Sequence, residues 1–203
     1  MTPAEIYPLF PTVVYKNKLD RPLLSTELDF VYSSGVFEQS LGNEISTSQW
    51  VLEAPELSQL KKDLMDHVNI YLNEIMQVDA ELYMTNSWIN VTAHQKQHAL
   101  HNHNNSILSG VFYINASDSQ PSISFNRMTP PFFLHMSAKQ YTMFNSMEWN
   151  VPVEDGGIII FPSNCFHFVK PNLTNNQRIS IAFNTFLRGN IGGDAEGADL
   201  QLR

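Results

Sequence analysis

A mainly β domain of the sandwich or barrel class, supported by a helix near its N terminus, is what this sequence predicts. Short β-prone runs follow one another through the second half of the chain: Met84–Val91, Leu108–Ile114, Ile123–Phe125, Gly157–Phe161, His167–Lys170 and Arg178–Phe186. Clusters of turn-forming residues separate them, at 115–121, 154–157 and 172–177. The clear helical stripe lies before residue 82 and none falls between the strands, so the pattern is α+β with an antiparallel β core rather than alternating α/β.

Taken in order, Ile6–Lys18 is β-branched and aromatic but interrupted by Pro8 and Pro11. Proline cannot donate to a ladder, so an edge strand or a strand entry is expected there. Residues 34–48 are polar and contain glycine, and read as loop. Over Leu57–Met76, Leu57, Leu60, Leu64, Val68, Tyr71, Leu72 and Ile75 recur at steps of three and four, one face of a helix. Pro55 and Glu56 suit its first turn. His67 falls off the stripe and is expected to be solvated. From Gly189 the chain turns glycine-rich and acidic, which predicts a disordered tail over 189–203 after a single domain of residues 1–188.

With 203 residues the chain has the length of one domain and can bury a core without disulfides. Its 12 Lys and Arg against 20 Asp and Glu give a formal charge of −8, which argues against nucleic acid as a partner. One cysteine, Cys165, allows no internal disulfide, and it reads as an inert buried thiol. Residues 1–20 hold no long apolar core of a secretory signal, and the apolar run 156–162 is far shorter than a membrane span. A cytoplasmic, reducing setting with no membrane partner is the expectation.

The chemistry concentrates in histidine. Four of the seven fall within ten positions: His94, His98, His101 and His103. On a strand, the two-residue spacing of His101 and His103 places both side chains on one face. With His167 from a distant strand they form a candidate facial metal set that leaves coordination positions open. His67, His94 and His135 read as surface or hydrogen-bonded residues, and His98 as either that or a neighbour of the ligands. In the last strand, alternation puts Arg178, Ser180 and Ala182 on one face and Ile179, Ile181 and Phe183 on the other. A guanidinium pointing into a barrel requires an anion, and a small dicarboxylate gripped bidentately would satisfy it. Three histidines alone also suit a zinc hydrolase or a cupin-like dioxygenase. Trp88, Phe132 and Phe133 read as core rather than as groove lining.

His101-Asn102-His103, then His167 followed by Val169 and Pro171, then Arg178-Ile179-Ser180, taken in this order, resemble the Fe(II)- and 2-oxoglutarate-dependent oxygenases. That superfamily combines a His-x-Asp/Glu pair, a later His and an Arg-x-Ser strand. Ser109-Gly110-Val111-Phe112-Tyr113-Ile114-Asn115 resembles the strand after the first motif in prolyl-hydroxylase-like members. More narrowly, these segments with Trp88-Ile89-Asn90-Val91 and Arg178–Asn184 resemble a 2-oxoglutarate–Fe(II) oxygenase family of marine bacteria and their viruses, cyanophages included. The resemblance spans residues 84–186, with a further match at Leu9–Thr12. It implies a double-stranded β-helix (jelly roll), Fe(II) on His101, His103 and His167, and 2-oxoglutarate on Arg178, Ser180 and Tyr113. The implied activity consumes O2 and hydroxylates an unidentified substrate, for which a peptidyl residue such as proline is the expectation, in the host cytoplasm if the chain is viral. Its alternatives are a non-catalytic jelly-roll binding or accessory protein and a three-histidine cupin-like metalloenzyme that does not use 2-oxoglutarate.

The chain departs from the pattern at one position. His103 stands where the superfamily has a carboxylate. A second registration would make His103 the first ligand and put Asn105 in the carboxylate place; the first is preferred because an alternating pair gives the plainer facial geometry. A bulky His103 also leaves no room for a halide, so hydroxylation is expected rather than halogenation.

Overall fold

The computed structural model describes residues 3–38, 42–117, 119–134, 136–192 and 200–202. In chain order its elements are β1 (Tyr15–Lys18), α1 (Ser25–Ser33), β2 (Val36–Glu38), β3 (Glu44–Ser46), α2 (Ser58–Asn69), β4 (Glu81–Thr92), β5 (His98–His101), β6 (Leu108–Asn115), β7 (Ile123–Asn126), β8 (Glu148–Val151), β9 (Gly157–Pro162), β10 (Phe166–Val169), β11 (Arg178–Ile191) and β12 (Leu200–Leu202). The strands form two antiparallel sheets. The major sheet runs β1-β9-β6-β11-β4-β3-β2, with β12 paired to the far end of β11, and the minor sheet runs β5-β10-β7-β8. This is the jelly roll.

The major sheet is buried on both faces, which explains its near-continuously apolar strands. One face carries Ile89, Phe112, Ile158, Ile160, Ile181 and Phe183, which join Leu57, Leu60, Leu64 and Val68 in one cluster with α2. The opposite face carries Val111, Tyr113, Ile159 and Phe161, which pack with Ile123 and partly buried Phe125 of the minor sheet. Helices cover the former face, and the latter lines the barrel interior. An Arg21-centred clamp ties the two helices together: Arg21 donates to Glu27 at 2.7 and 2.9 Å and to Asp63 at 2.7 Å. Glu27, fully buried, also accepts from the Leu24 N–H at the start of α1.

The expected helix over Leu57–Met76 resolves into a 3-10 turn at Pro55–Leu57, α2, and a π-helical turn at Ile70–Ile75. The wider π turn rotates the stripe, so Tyr71 and Leu72 are buried while Ile75 is 44% exposed. His67 is not simply solvated. It is half-buried, and its Nδ1 meets the Tyr15 hydroxyl at 2.7 Å. Only Tyr15–Lys18 of the proline-containing first segment pairs, at the sheet edge against β9. Residues 34–48, read as loop, contain β2 and β3, which extend the sheet beyond β4. The strand from Arg178 continues to Ile191, and Leu200–Leu202 pairs back onto Gly189–Ile191. Ladder pairing thus orders the start and the end of the segment expected to be a disordered tail; residues 193–199 lie outside the described residues. Among the described residues no helix is long and apolar enough to cross a membrane.

At Gly110, paired with Phe183, an added Cβ would sit within 2.1–2.7 Å of the Phe183 ring. Gly110→Ala is expected to lower unfolding free energy by about 1–3 kcal/mol through overpacking, read as a reduced urea midpoint with unchanged m-value.

Candidate metal centre

The short strand β5 is not regular. His101 stands opposite His167 and His98 opposite Val169, so three steps on β5 face two on β10. This bulge turns His98 and His101 to the same side of the strand, with ring centroids 4.7 Å apart. The expected two-residue alternation on one strand is not what aligns His101 with His103, because β5 ends at His101. His103 follows in the irregular stretch ahead of the turn at 104–105, where its N–H donates to the Ser163 carbonyl at 2.9 Å. The result is nevertheless a cluster. The His101 ring lies 4.3 Å from His167 and 5.2 Å from His103, and His103 lies 5.1 Å from His167. One candidate ligand atom from each of the three falls within 4.8 Å of the others.

Hydrogen bonds set which nitrogen each ring offers. His101 Nδ1 donates to the Ala99 carbonyl at 2.8 Å, His167 Nδ1 to the Cys165 carbonyl at 3.0 Å, and His103 Nδ1 to the Asn184 side-chain oxygen at 2.5 Å. With Nδ1 protonated on every ring, each Nε2 is left as an unprotonated lone pair. The Nε2 atoms of His101 and His103 face each other at 3.3 Å. Two lone pairs cannot hydrogen-bond to one another, but a cation between them relieves the contact. Ligands bound cis at about 2.1 Å stand roughly 3 Å apart, so the spacing fits a metal ion.

Burial keeps these rings neutral. It pushes His98 and His167 down to about 3, reinforced by the neighbouring imidazoles and, for His98, by Arg178. His101 and His103 are lowered by the same desolvation, partly countered by their acceptors at Ala99 and Asn184. Neutral imidazole is the ligating form, so no proton has to be displaced near pH 7.

On the same interior side lies a buried cation. Arg178 is 3% exposed, its guanidinium carbon is 4.8 Å above the Tyr113 ring, and its Nε has no hydrogen-bond partner. The Tyr113 hydroxyl, fully buried, has no partner of good hydrogen-bond geometry either, although the Arg178 guanidinium lies close enough to interact with it. Burial lowers the Arg178 pKa, and the same burial raises that of Tyr113 against the pull of Arg178. Ser180 pairs directly with Tyr113 across the β11–β6 ladder and is also buried. Orphaned donors of this kind inside a protein are costly unless an acceptor enters. A carboxylate supplies it, so the residues present fit an anionic cosubstrate. His98 is close enough to feel both His101 and Arg178.

A mouth of about 270 Å³ opens over the histidines, lined by Gln49, Asn86, Trp88, Asn102, Asn104 and Asn184 among others, with no Asp, Glu, Lys or Arg. Trp88, read as core, instead stands at this mouth with its ring 5.6 Å from His103. Phe132 and Phe133 are likewise not core: they are exposed on the segment between β7 and β8. Asn105 is exposed in a turn with φ 54°. His94 is exposed and meets the Thr174 carbonyl, and His135 lies outside the described residues.

Residues 86–184 match the protein family described as "Putative 2OG-Fe(II) oxygenase". That stretch contains His101, His103, His167 and Arg178. No curated protein sequence matches it. Solved structures share the oxygenase fold at low identity. The non-heme alpha-ketoglutarate-dependent epimerase SnoN from nogalamycin biosynthesis aligns with a TM-score of 0.64 at 12% identity, over 95% of this chain and 88% of that one. HygX from Streptomyces hygroscopicus with nickel and 2-oxoglutarate bound gives 0.60 at 11%, over 86% and 82%. A Pseudomonas putida prolyl-4-hydroxylase gives 0.55 at 16%, over 88% and 94%.

Sequence reading missed Asn184, Ser109 and Ser163 of this centre. Only the appearance of Asn184 at the end of the Arg178 strand hinted at it, since its contact with His103 spans 81 positions.

A histidine whose pKa is depressed on folding contributes stability that is fully present above the unfolded value near 6.5 and is lost as pH falls towards the folded value. Metal-free protein should therefore lose Tm progressively as pH drops from about 6.5, where His98 and His167 have folded values of about 3. His98→Asn is expected to flatten that slope in a pH series of thermal melts; an identical slope would contradict the neutral buried His98.

Proposed function

We propose that this oxygenase hydroxylates a C–H bond of a peptide side chain, with Fe(II) held by His101, His103 and His167 and 2-oxoglutarate held by Arg178, Ser180 and Tyr113. The observation that carries the cosubstrate assignment is the buried Arg178 with its unpartnered Nε beside the unpartnered Tyr113 hydroxyl. When bound, the metal and cosubstrate supply the oxidising chemistry: 2-oxoglutarate and O2 are consumed, succinate and CO2 leave, and one oxygen atom enters the substrate.

The chain's own residues set the conditions. Arg178 offers a planar fork of donors to the distal carboxylate, and Tyr113 adds a hydroxyl donor from the facing strand. Phe161 and Phe125, each with its ring within about 6 Å of the His167 ring, wall the centre with apolar surface and exclude water from one side. The Nδ1 acceptors at Ala99, Cys165 and Asn184 hold all three rings, so the ligand set is organised before the metal arrives.

The mouth supports a peptide substrate. Its carboxamides match the alternating donors and acceptors of a peptide backbone, and Trp88 provides an aromatic face against which an apolar ring can pack. A charge-free lining offers nothing to select an ionic side chain. The prolyl-4-hydroxylase of Pseudomonas putida shares the fold, which is consistent with a prolyl target.

Anaerobic addition of Fe(II) and 2-oxoglutarate should produce a weak visible charge-transfer band, and Arg178→Ala should weaken 2-oxoglutarate binding by at least tenfold while leaving metal binding intact. Tight zinc binding with no Fe(II)–2-oxoglutarate band would overturn the assignment. Succinate release in the presence of proline-containing peptides, compared with release in their absence, then tests the substrate class; equal rates across a peptide panel would remove it.

A further inference from the structure

His103 occupies the place that a carboxylate holds in the motif this chain resembles, and the structure contains a cradle behind it that suits an imidazole. The His103 Nδ1–H points at the Asn184 Oδ1. Asn184 is 7% exposed and cannot swing its amide freely, because its Nδ2 donates to the Asn86 Oδ1 at 3.0 Å. The Asn184 Oδ1 also accepts from the Ser109 hydroxyl at 2.7 Å. Ser109 contacts the Ser163 hydroxyl at 2.8 Å, and Ser163 donates on to Ser106 at 2.8 Å. The Ser163 carbonyl meanwhile receives the His103 backbone N–H. Residue 103 is thus gripped at its backbone and at the back of its ring by groups packed on β6, β11 and the turn after β9.

The polarity of this cradle is specific. The atom presented to residue 103 is an acceptor, and the Ser109 hydroxyl beside it already has an acceptor in Asn184. An imidazole N–H satisfies such a site. A carboxylate at residue 103 would set oxygen against the Asn184 oxygen, and the single proton of the Ser109 hydroxyl, 3.0 Å from the His103 Nδ1, could serve only one of the two. Isolated histidine favours a proton on Nε2, the atom needed here as a lone pair, so something must hold the proton on Nδ1.

We propose that Asn184 is a positioning residue that locks His103 in its Nδ1-protonated form and so directs its Nε2 to the metal, and that residue 103 is a histidine by construction rather than a replaceable stand-in for a carboxylate. The metal half of this statement rests on the three-histidine centre proposed above; the tautomer half does not. A consequence is a centre without an anionic protein ligand, in which Fe(II) keeps its full charge until an anionic cosubstrate binds.

The test uses the full chain, labelled with nitrogen-15, in two measurements. Two-bond nitrogen–proton correlation on the metal-free protein reports which nitrogen of His103 is protonated, and Co(II) titration reports affinity and d–d spectrum. Wild type should show Nδ1 protonation. Asn184→Ala should move His103 towards the Nε2-protonated form and weaken Co(II) binding about 10–100-fold. Asn184→Asp, which keeps an acceptor oxygen towards His103 and can take an N–H from Asn86 once that amide turns over, should restore both. Asn86→Ala leaves Asn184 in place but frees its amide, and should give an intermediate shift in both; it decides the matter if Asn184→Ala does not fold. His103→Asp should bind Co(II) no better than His103→Ala. An unchanged tautomer in Asn184→Ala, or in Asn86→Ala where the first variant is unfolded, would overturn the proposal, as would near-wild-type Co(II) binding by His103→Asp. A wild-type chain with the Asn184-dependent tautomer but no Co(II) binding would overturn the metal centre and leave the hold of Asn184 on His103 standing.

Discussion

Strand β11 is hydrogen-bonded to β4 on one edge and β6 on the other, and both of its faces are buried. Its odd-numbered residues Ile179, Ile181 and Phe183 belong to the helix-facing core, while Arg178, Ser180 and Asn184 point into the barrel. A slip of one residue would exchange the two sets, driving a guanidinium into leucines of α2 and isoleucines into the polar interior. The register of this one strand therefore decides where the cation sits, where Asn184 meets His103, and which face of the sheet the helices can cover.

That division explains how a domain of this size tolerates so polar an interior. The helix-facing layer, where Leu57, Leu60, Leu64 and Val68 are fully buried, supplies most of the apolar burial. The barrel interior can then hold four imidazoles, a guanidinium and a hydroxyl network without being the main source of stability. Its polar groups are arranged in complementary fashion: the histidines are neutral and tied back to oxygen acceptors, whereas Arg178 is left with an unsatisfied donor. Unpaired donors in a closed space are preorganised for a ligand, since no protein partner has to be displaced before it binds.

The strands most legible in the sequence were those buried on both faces, although the half-buried β7 and β10 were also read from their short β-prone runs. β6 and β9 are continuous apolar runs, and β11 alternates cleanly enough to show its two sides. β5 and β8 were not legible, because His-Ala-Leu-His and Glu-Trp-Asn-Val are short, polar and placed at the edges of the minor sheet, where pairing rather than pattern makes the strand. β2 and β3, three residues each at the β2 end of the major sheet, escaped because so short a run carries no period. Phe132 and Phe133 misled in the opposite sense: aromatic residues normally signal a core, but the segment that carries them lies outside the two sheets and leaves both rings exposed.

For the centre, residue type and order marked His101, His103, His167 and Arg178 as candidates, because metal-ligating and anion-binding chemistry leaves few substitutes for imidazole and guanidinium, and the fold gathers the three histidines. How they come together was decided only in three dimensions. A bulge in β5 turns His98 towards His101, the irregular stretch after the strand carries His103 beside it, and Asn184 arrives from 81 positions away to set its proton. Local sequence determines which groups a strand can offer and which face they take. It carries no record of a bulge that depends on the partner strand, or of a hydrogen bond between strands that meet only when the sheets close, and those two features aim the three nitrogens at one point.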